Sequence, residues 1–179
     1  MRRLIQVLTI FSISTVAYGG DVDLSAVTSL KVDLEQVVEL GTVSSVDGVT
    51  SAGQPSEAAL EIFADSGYVA VIDLRRPDED RGFAQATVVE DLGMHYVSLP
   101  IAGRDAVNFD NAKQLDELLA EFDGPVLVHC AAGNRAGAML ALRASLNGAS
   151  EEAALELGRE AGLTKLEDTV RERLAEETE

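Results

Sequence analysis

The chain is poor in several things, and each shortage narrows what it can be. It has a single cysteine, so no disulfide can form within the chain, and the thiol is left for chemistry or for pairing between chains. Its two histidines, His95 and His129, have no second histidine or carboxylate at ligand spacing, so neither a metal site nor a cofactor is expected. Basic residues number 14 against 31 acidic ones, a net charge of −17. That balance argues against nucleic acid, anionic membrane surfaces and acidic proteins as partners, and solubility or adaptation to salt accounts for it. Tandem repeats and low-complexity segments are also lacking. No apolar run reaches the roughly 20 residues that a spanning helix needs.

The longest such run is Leu4 to Val16, interrupted by Gln6, Thr9, Ser12 and Ser14. Behind Met1-Arg2-Arg3 and ahead of the small residues of Ala17-Tyr18-Gly19, it reads as a signal peptide over residues 1–19. Export to the periplasm is the expectation, with no membrane contact after cleavage. Residues 20–40 are acidic and sparsely apolar, and a poorly ordered lead-in is expected there. Residues 41–179 then carry enough apolar material, in a chain that is 46% hydrophobic, for one domain with one core.

Within that domain the apolar spacing alternates between two periods. Val43–Val46 and Val49–Ala52 predict strands joined at Asp47-Gly48, a hairpin signal. Ser56 to Ser66 predicts a helix with Leu60 and Phe63 on one face and Gly67 as its stop. Tyr68 to Leu74 predicts an interior strand, followed by the charged loop Arg75 to Gly82. Phe83 to Leu92 predicts a weaker helix, His95 to Leu99 an alternating strand, and Asn108 to Phe122 an amphipathic helix capped by Asn108 or Asp110. Two further helices are expected after Asn147-Gly148. One is capped by Ser150 and runs to about Ala161; the other opens with a Thr164-x-x-Glu167 capping box and carries Leu166, Val170 and Leu174 on one stripe. That stripe is expected to pack on the domain's own core, with dimerisation as the alternative. The fold class is α/β, a central and mostly parallel sheet of four or five strands flanked by helices, with extra C-terminal helices.

The chemistry concentrates in Val126-Leu127-Val128-His129-Cys130-Ala131-Ala132-Gly133-Asn134-Arg135-Ala136-Gly137. An apolar strand of the kind buried on both faces runs into a small-residue loop that opens a helix. The first amides of a helix lack intrahelical acceptors, and its dipole is positive there, so the loop is an anion site. Thiolate is the nucleophilic form of cysteine, and a helix N-terminus favours it, so Cys130 is expected to be reactive. Arg135 can hold two oxygens of a tetrahedral anion, and Gly133 lets the backbone turn inward.

At these residues the chain resembles the cysteine-dependent phosphatases of the dual-specificity and tyrosine type, and among them a bacterial family named after a beta-lactamase hydrolase-like protein. The resemblance takes in Val49 to Pro55, Val71 to Arg75, Tyr96 to Ile101 and His129-Cys130 in order. It implies a cysteine-phosphatase-like fold and hydrolysis of a phosphomonoester through a phosphocysteine. Cys130 would be the nucleophile, Arg135 the anion clamp and Asp105 the general acid, with Asp110 and then Asp73 or Asp78 as the other candidates. His129, Ala131, Ala132, Gly133, Asn134 and Ala136 would form the substrate-binding loop, and His129 would orient it by hydrogen bonding. The expected ligand is a phosphorylated substrate or a small anion.

Two features keep other readings open. Four residues separate Cys130 from Arg135, as in single-domain rhodaneses, where the cysteine carries a sulfane sulfur; the phosphatases have five. Ala136 also stands where phosphatases place a hydroxyl that stabilises the departing thiolate. A sulfurtransferase working through a Cys130 persulfide, or a non-catalytic anion-binding module, are the alternatives.

Overall fold

Four short parallel segments, two of them mostly apolar, pair side by side and set the frame. The computed structural model describes residues 44–46 and 48–177; the stretches expected to be a signal peptide and a lead-in, together with Val43 and Asp47, lie outside the described residues. The strands are β1 (Ser44–Val46), β2 (Val49–Ala52), β3 (Ala70–Asp73), β4 (His95–Ser98) and β5 (Val126–His129). They form one sheet in the order β1-β2-β5-β3-β4. Only β1 runs antiparallel, folded on β2 with Val46 opposite Val49 as the hairpin signal requires; the other four are parallel.

Parallel strands need crossovers, and the helices supply them. These are α1 (Glu57–Asp65), α2 (Gln85–Asp91), α3 (Phe109–Leu119), α4 (Asn134–Leu146), α5 (Glu151–Glu160) and α6 (Glu167–Glu177). Ser56, Asn108 and Ser150 cap α1, α3 and α5, each accepting from the amide three residues on. Among the described residues no helix is long and apolar enough to cross a membrane.

The strand period of two divides the core. Ala70, Ile72, Val126 and Val128 join residues of α3 to α6 in one buried cluster. Val71 and Leu127, one residue out of phase, share the opposite face with Thr50. The Thr50 hydroxyl bonds that of Tyr68, whose ring packs edge-on against Phe63 of α1, so α1 covers this second face. On the first face the Ser51 hydroxyl donates to the Ala161 carbonyl at the end of α5, at 2.6 Å. Val170 and Leu174 of α6 are buried in this chain's own core, as the packing reading of that stripe expects.

Two local expectations are corrected. The strand at His95–Ser98 does not alternate: His95 and Ser98 are exposed, Tyr96 and Val97 half-buried, because β4 is the sheet's edge. The Thr164-x-x-Glu167 capping box does not form. Thr164 turns instead to Asn134, whose Oδ1 accepts from the Thr164 amide at 2.8 Å and its hydroxyl at 3.2 Å, and α6 begins only at Glu167. Glu167 meanwhile pairs with Arg159 at 2.6 Å and Arg171 at 2.8 Å.

Candidate active site

Register places the site. Ala52 pairs with His129, His129 with Asp73, and Asp73 with Ser98, so four parallel strands end in one row. The loops beginning at Gly53, Leu74, Leu99 and Cys130 therefore leave the same edge of the sheet, the carboxyl edge at which open α/β sheets bind ligands.

Cys130 follows β5 directly. All four β5 residues are buried, and the cysteine continues that course at 2% exposure. The sequence places the thiol at the mouth of the loop; the structure sets it beneath the surface. Its neighbours' carbonyls are pinned outward. His129 Nδ1 lies 3.3 Å from the Cys130 carbonyl oxygen, the Gln54 amide donates to the Ala131 carbonyl at 3.2 Å, and the Gly137 amide to the Gly133 carbonyl at 2.8 Å. A trans peptide points its N–H opposite its C=O. The amides of Ala131, Ala132 and Asn134 therefore face away from those donors, and no side chain caps α4, whose N-cap is Gly133 at φ 81°. Ala131 and Ala132 are exposed, while Ala136 is fully buried.

Behind the loop runs a chain of side-chain hydrogen bonds whose polarity follows from its first member. Arg75 can only donate, so its Nη1 gives to Gln54 Oε1. The Gln54 amide nitrogen must then donate to Gln85 Oε1, 2.7 Å away. That leaves the Gln85 amide nitrogen to donate to His129 Nε2 at 2.6 Å, which puts the ring proton on Nδ1, facing the Cys130 carbonyl. Burial holds His129 down to about 4, so the ring is neutral at physiological pH. Asp73, 3.6 Å from His129 Nε2, is too far for a hydrogen bond. Its carboxylate instead accepts from the Arg75 amide at 2.8 Å, Arg81 Nε at 2.6 Å and the Tyr96 hydroxyl at 2.8 Å. Burial and the bond to Asp73 push the Tyr96 phenol up to about 12.

Arg135 is held from several sides. Its Nη1 and Nη2 donate to the two oxygens of Glu79 at 2.6 and 2.7 Å, and Nη1 also lies 3.4 Å from the carbonyls of Leu74 and Ile101. Glu79, chiefly through that bond to Arg135, is pulled down to about 2 and stays a carboxylate, which removes it as a proton donor. Pairing with Glu79 raises Arg135 above the ordinary guanidinium value against the opposing effect of burial, and the nearby Cys130 side chain adds to the rise.

Above these residues opens a depression of about 420 Å³. Arg135, Asn134 and Glu79 line it together with Arg76, Gly103, Arg104 and Leu166. Asp105 follows Arg104 on the same loop with its side chain exposed, and its carbonyl accepts from Asn108 at 2.8 Å. Of the other carboxylates, Asp110 is exposed in the first turn of α3, Asp78 pairs with Arg76 at 3.2 Å, and Asp73 is fully buried. Gln54, Glu79, Gln85, Arg104 and Leu166 were not singled out as site residues by sequence reasoning. Gln54 lies within the Val49–Pro55 stretch and Glu79 in a charged loop at a strand's carboxyl end, which were the available signals.

With this geometry in place, the chain can be set beside known proteins. Residues 33–175 match the family model PTP-NADK, described as a DSP-PTPase phosphatase fused to NAD+ kinase. A beta-lactamase hydrolase-like protein of Agrobacterium fabrum is 28% identical over 112 residues, covering 60% of this chain and 26% of its own length. The chain thus spans about a quarter of the curated relatives it matches. The crystal structure of a phosphatase candidate from Neisseria meningitidis is 24% identical, covers 75% of this chain and 96% of its own, and has a TM-score of 0.64. One from Shewanella putrefaciens is 16% identical, with coverage of 80% and 97% and a TM-score of 0.61. At those identities the likeness establishes the fold.

Proposed function

Because this chain belongs to the family of DSP-PTPase phosphatases fused to NAD+ kinase, we propose that it hydrolyses phosphomonoesters through a phosphocysteine at Cys130. The carrying observation is Arg135: Glu79 fixes it on the wall of a depression that opens at the uncapped N-terminus of α4, one helical turn beyond Cys130. A dianionic phosphoryl group would meet a guanidinium and the unbonded amides of the loop together.

In the first step the Cys130 sulfur attacks phosphorus, the ester P–O bond breaks, and Asp105 gives its proton to the leaving oxygen. In the second, water attacks phosphorus, Asp105 takes up the water proton, and the S–P bond breaks to release phosphate. Arg135 and the loop amides offset the charge that builds on the equatorial oxygens in both steps. Asp105 suits the acid role because it is exposed and follows Arg104 of the lining on the same loop, whereas Glu79 and Asp73 are already held by cations. Within the superfamily we place the chain beside the beta-lactamase hydrolase-like proteins, one of which is 28% identical to it over 112 residues.

The Cys-x4-Arg spacing favours a second reading, sulfur transfer through a Cys130 persulfide, since a shorter loop encloses a smaller anion site. Purified protein is given an aryl phosphate and, separately, thiosulfate with cyanide. Phosphate release that disappears in Cys130→Ser supports hydrolysis; thiocyanate release that disappears in the same variant supports sulfur transfer. Asp105→Asn should slow esters with poor leaving groups far more than those with good ones. Equal slowing would remove Asp105 as the acid.

A further inference from the structure

In a chain with 31 carboxylates, an arginine without one is unusual. Among the described residues every arginine except Arg104 has a carboxylate oxygen within 4.0 Å. Arg104 is exposed, and it lines the same depression as Arg135. The other two cations there are already answered: Arg135 by Glu79, and Arg76 by Asp78 at 3.2 Å and Glu79 at 3.7 Å. Among the described residues Glu79 is the only acidic one in the lining, and it also pairs with Arg75 at 3.3 Å. The depression therefore carries an uncompensated positive charge on its Arg104 side, on a surface that is otherwise strongly negative.

That placement does not follow from solubility, which acidic residues supply throughout the chain. Nor does the fold require it, since the Arg104 side chain makes no hydrogen bond or ion pair among the described residues. What it offers is a guanidinium facing whatever group is attached to the phosphoryl held at Arg135. We infer that the site selects phosphomonoesters whose leaving group carries a second anionic group, a carboxylate or another phosphate, bound by Arg104. This rests on the reading of Arg135 as the phosphoryl clamp, and it adds the class of substrate. Leu166, on the same lining, gives the leaving group an apolar wall.

The test uses binding, so that it does not depend on turnover. The full chain carrying Cys130→Ser is titrated by calorimetry at low ionic strength with two matched pairs of esters. Glycerol 3-phosphate and 3-phosphoglycerate differ by a carboxylate; fructose 6-phosphate and fructose 1,6-bisphosphate differ by a phosphate. The doubly anionic member should bind about fivefold more tightly, the upper range for an exposed charge pair, and the preference should shrink as salt is added. The pair with the larger ratio identifies the second group. Adding Arg104→Gln should bring the ratio to about one, and Arg104→Lys should keep part of it. Equal binding within both pairs, a ratio unchanged by Arg104→Gln, or binding of none of the four esters would overturn the inference. Hydrolysis of an aryl phosphate by the unmodified protein is scored separately, so a failed phosphatase reading and a failed Arg104 assignment give different results.

Discussion

Replacing Gln85 by leucine interrupts the hydrogen-bonded chain from Arg75 to Cys130 while changing little else. Gln85 is 2% exposed and close to leucine in volume, so packing is largely kept and the polar contacts are what is lost. His129 Nε2 loses its donor inside a fully buried environment, and Gln54 loses an acceptor at a half-buried position that water can reach. A buried polar group left unpaired costs about 1–3 kcal/mol, and the histidine should account for most of it. The denaturant midpoint of Gln85→Leu should fall accordingly, with an unchanged slope. A loss under about 0.5 kcal/mol would mean that His129 is not held by this chain. Gln85→Glu tests the polarity itself. A carboxylate can only accept, so Nε2 would have to carry a proton while Nδ1 keeps its own, and the ring would titrate well above the value of about 4 set by burial. Nitrogen chemical shifts of the imidazole read this directly. A neutral ring with its proton still on Nδ1 at pH 6 in Gln85→Glu would refute the assignment.

His129 also makes stability depend on pH. Its folded value of about 4 lies below the ordinary 6.5, so between these pH values the unfolded chain binds more protons. Stability from this group is complete above pH 6.5 and falls by about 3 kcal/mol as pH drops to 4. Subtracting the profile of His129→Gln isolates the effect, and parallel profiles over that window would disprove it. A second expectation concerns the crossing of α4 and α5. A methyl group on Gly137 would meet the Leu163 amide nitrogen, and the Gly158 carbonyl oxygen at 2.6 Å, both backbone atoms that cannot swing aside. Gly137→Ala should therefore lower stability by about 1–3 kcal/mol, despite alanine's better helix propensity. An equal or higher melting temperature would show that α5 can move off α4 without cost.

What the sequence made legible was local. The strand, loop and helix around Cys130 are contiguous, and Ser56, Asn108 and Ser150 act on amides three residues away, so short-range pattern suffices for them. Thr164 had the same local signature and misled, because Asn134, 30 residues upstream, supplies a competing acceptor that only the folded chain brings near. The same holds for the residues behind the site. Glu79 lies 56 residues from Arg135 and Gln85 lies 44 from His129, and nothing in the spacing announces either pair until the parallel register aligns the strand ends. Arg104 was equally silent, since its significance lies in the carboxylates it does not meet.

Asn134 sits beside Arg135, yet its side-chain oxygen serves the far end of the chain, accepting from Thr164 twice and from the Leu166 amide at 3.3 Å. The rim residue Leu166 is thus tethered to the very helix that presents the guanidinium. In the proposed reading the anion site and the seating of α6 share Asn134 as a common support, so removing its side-chain oxygen should loosen both together.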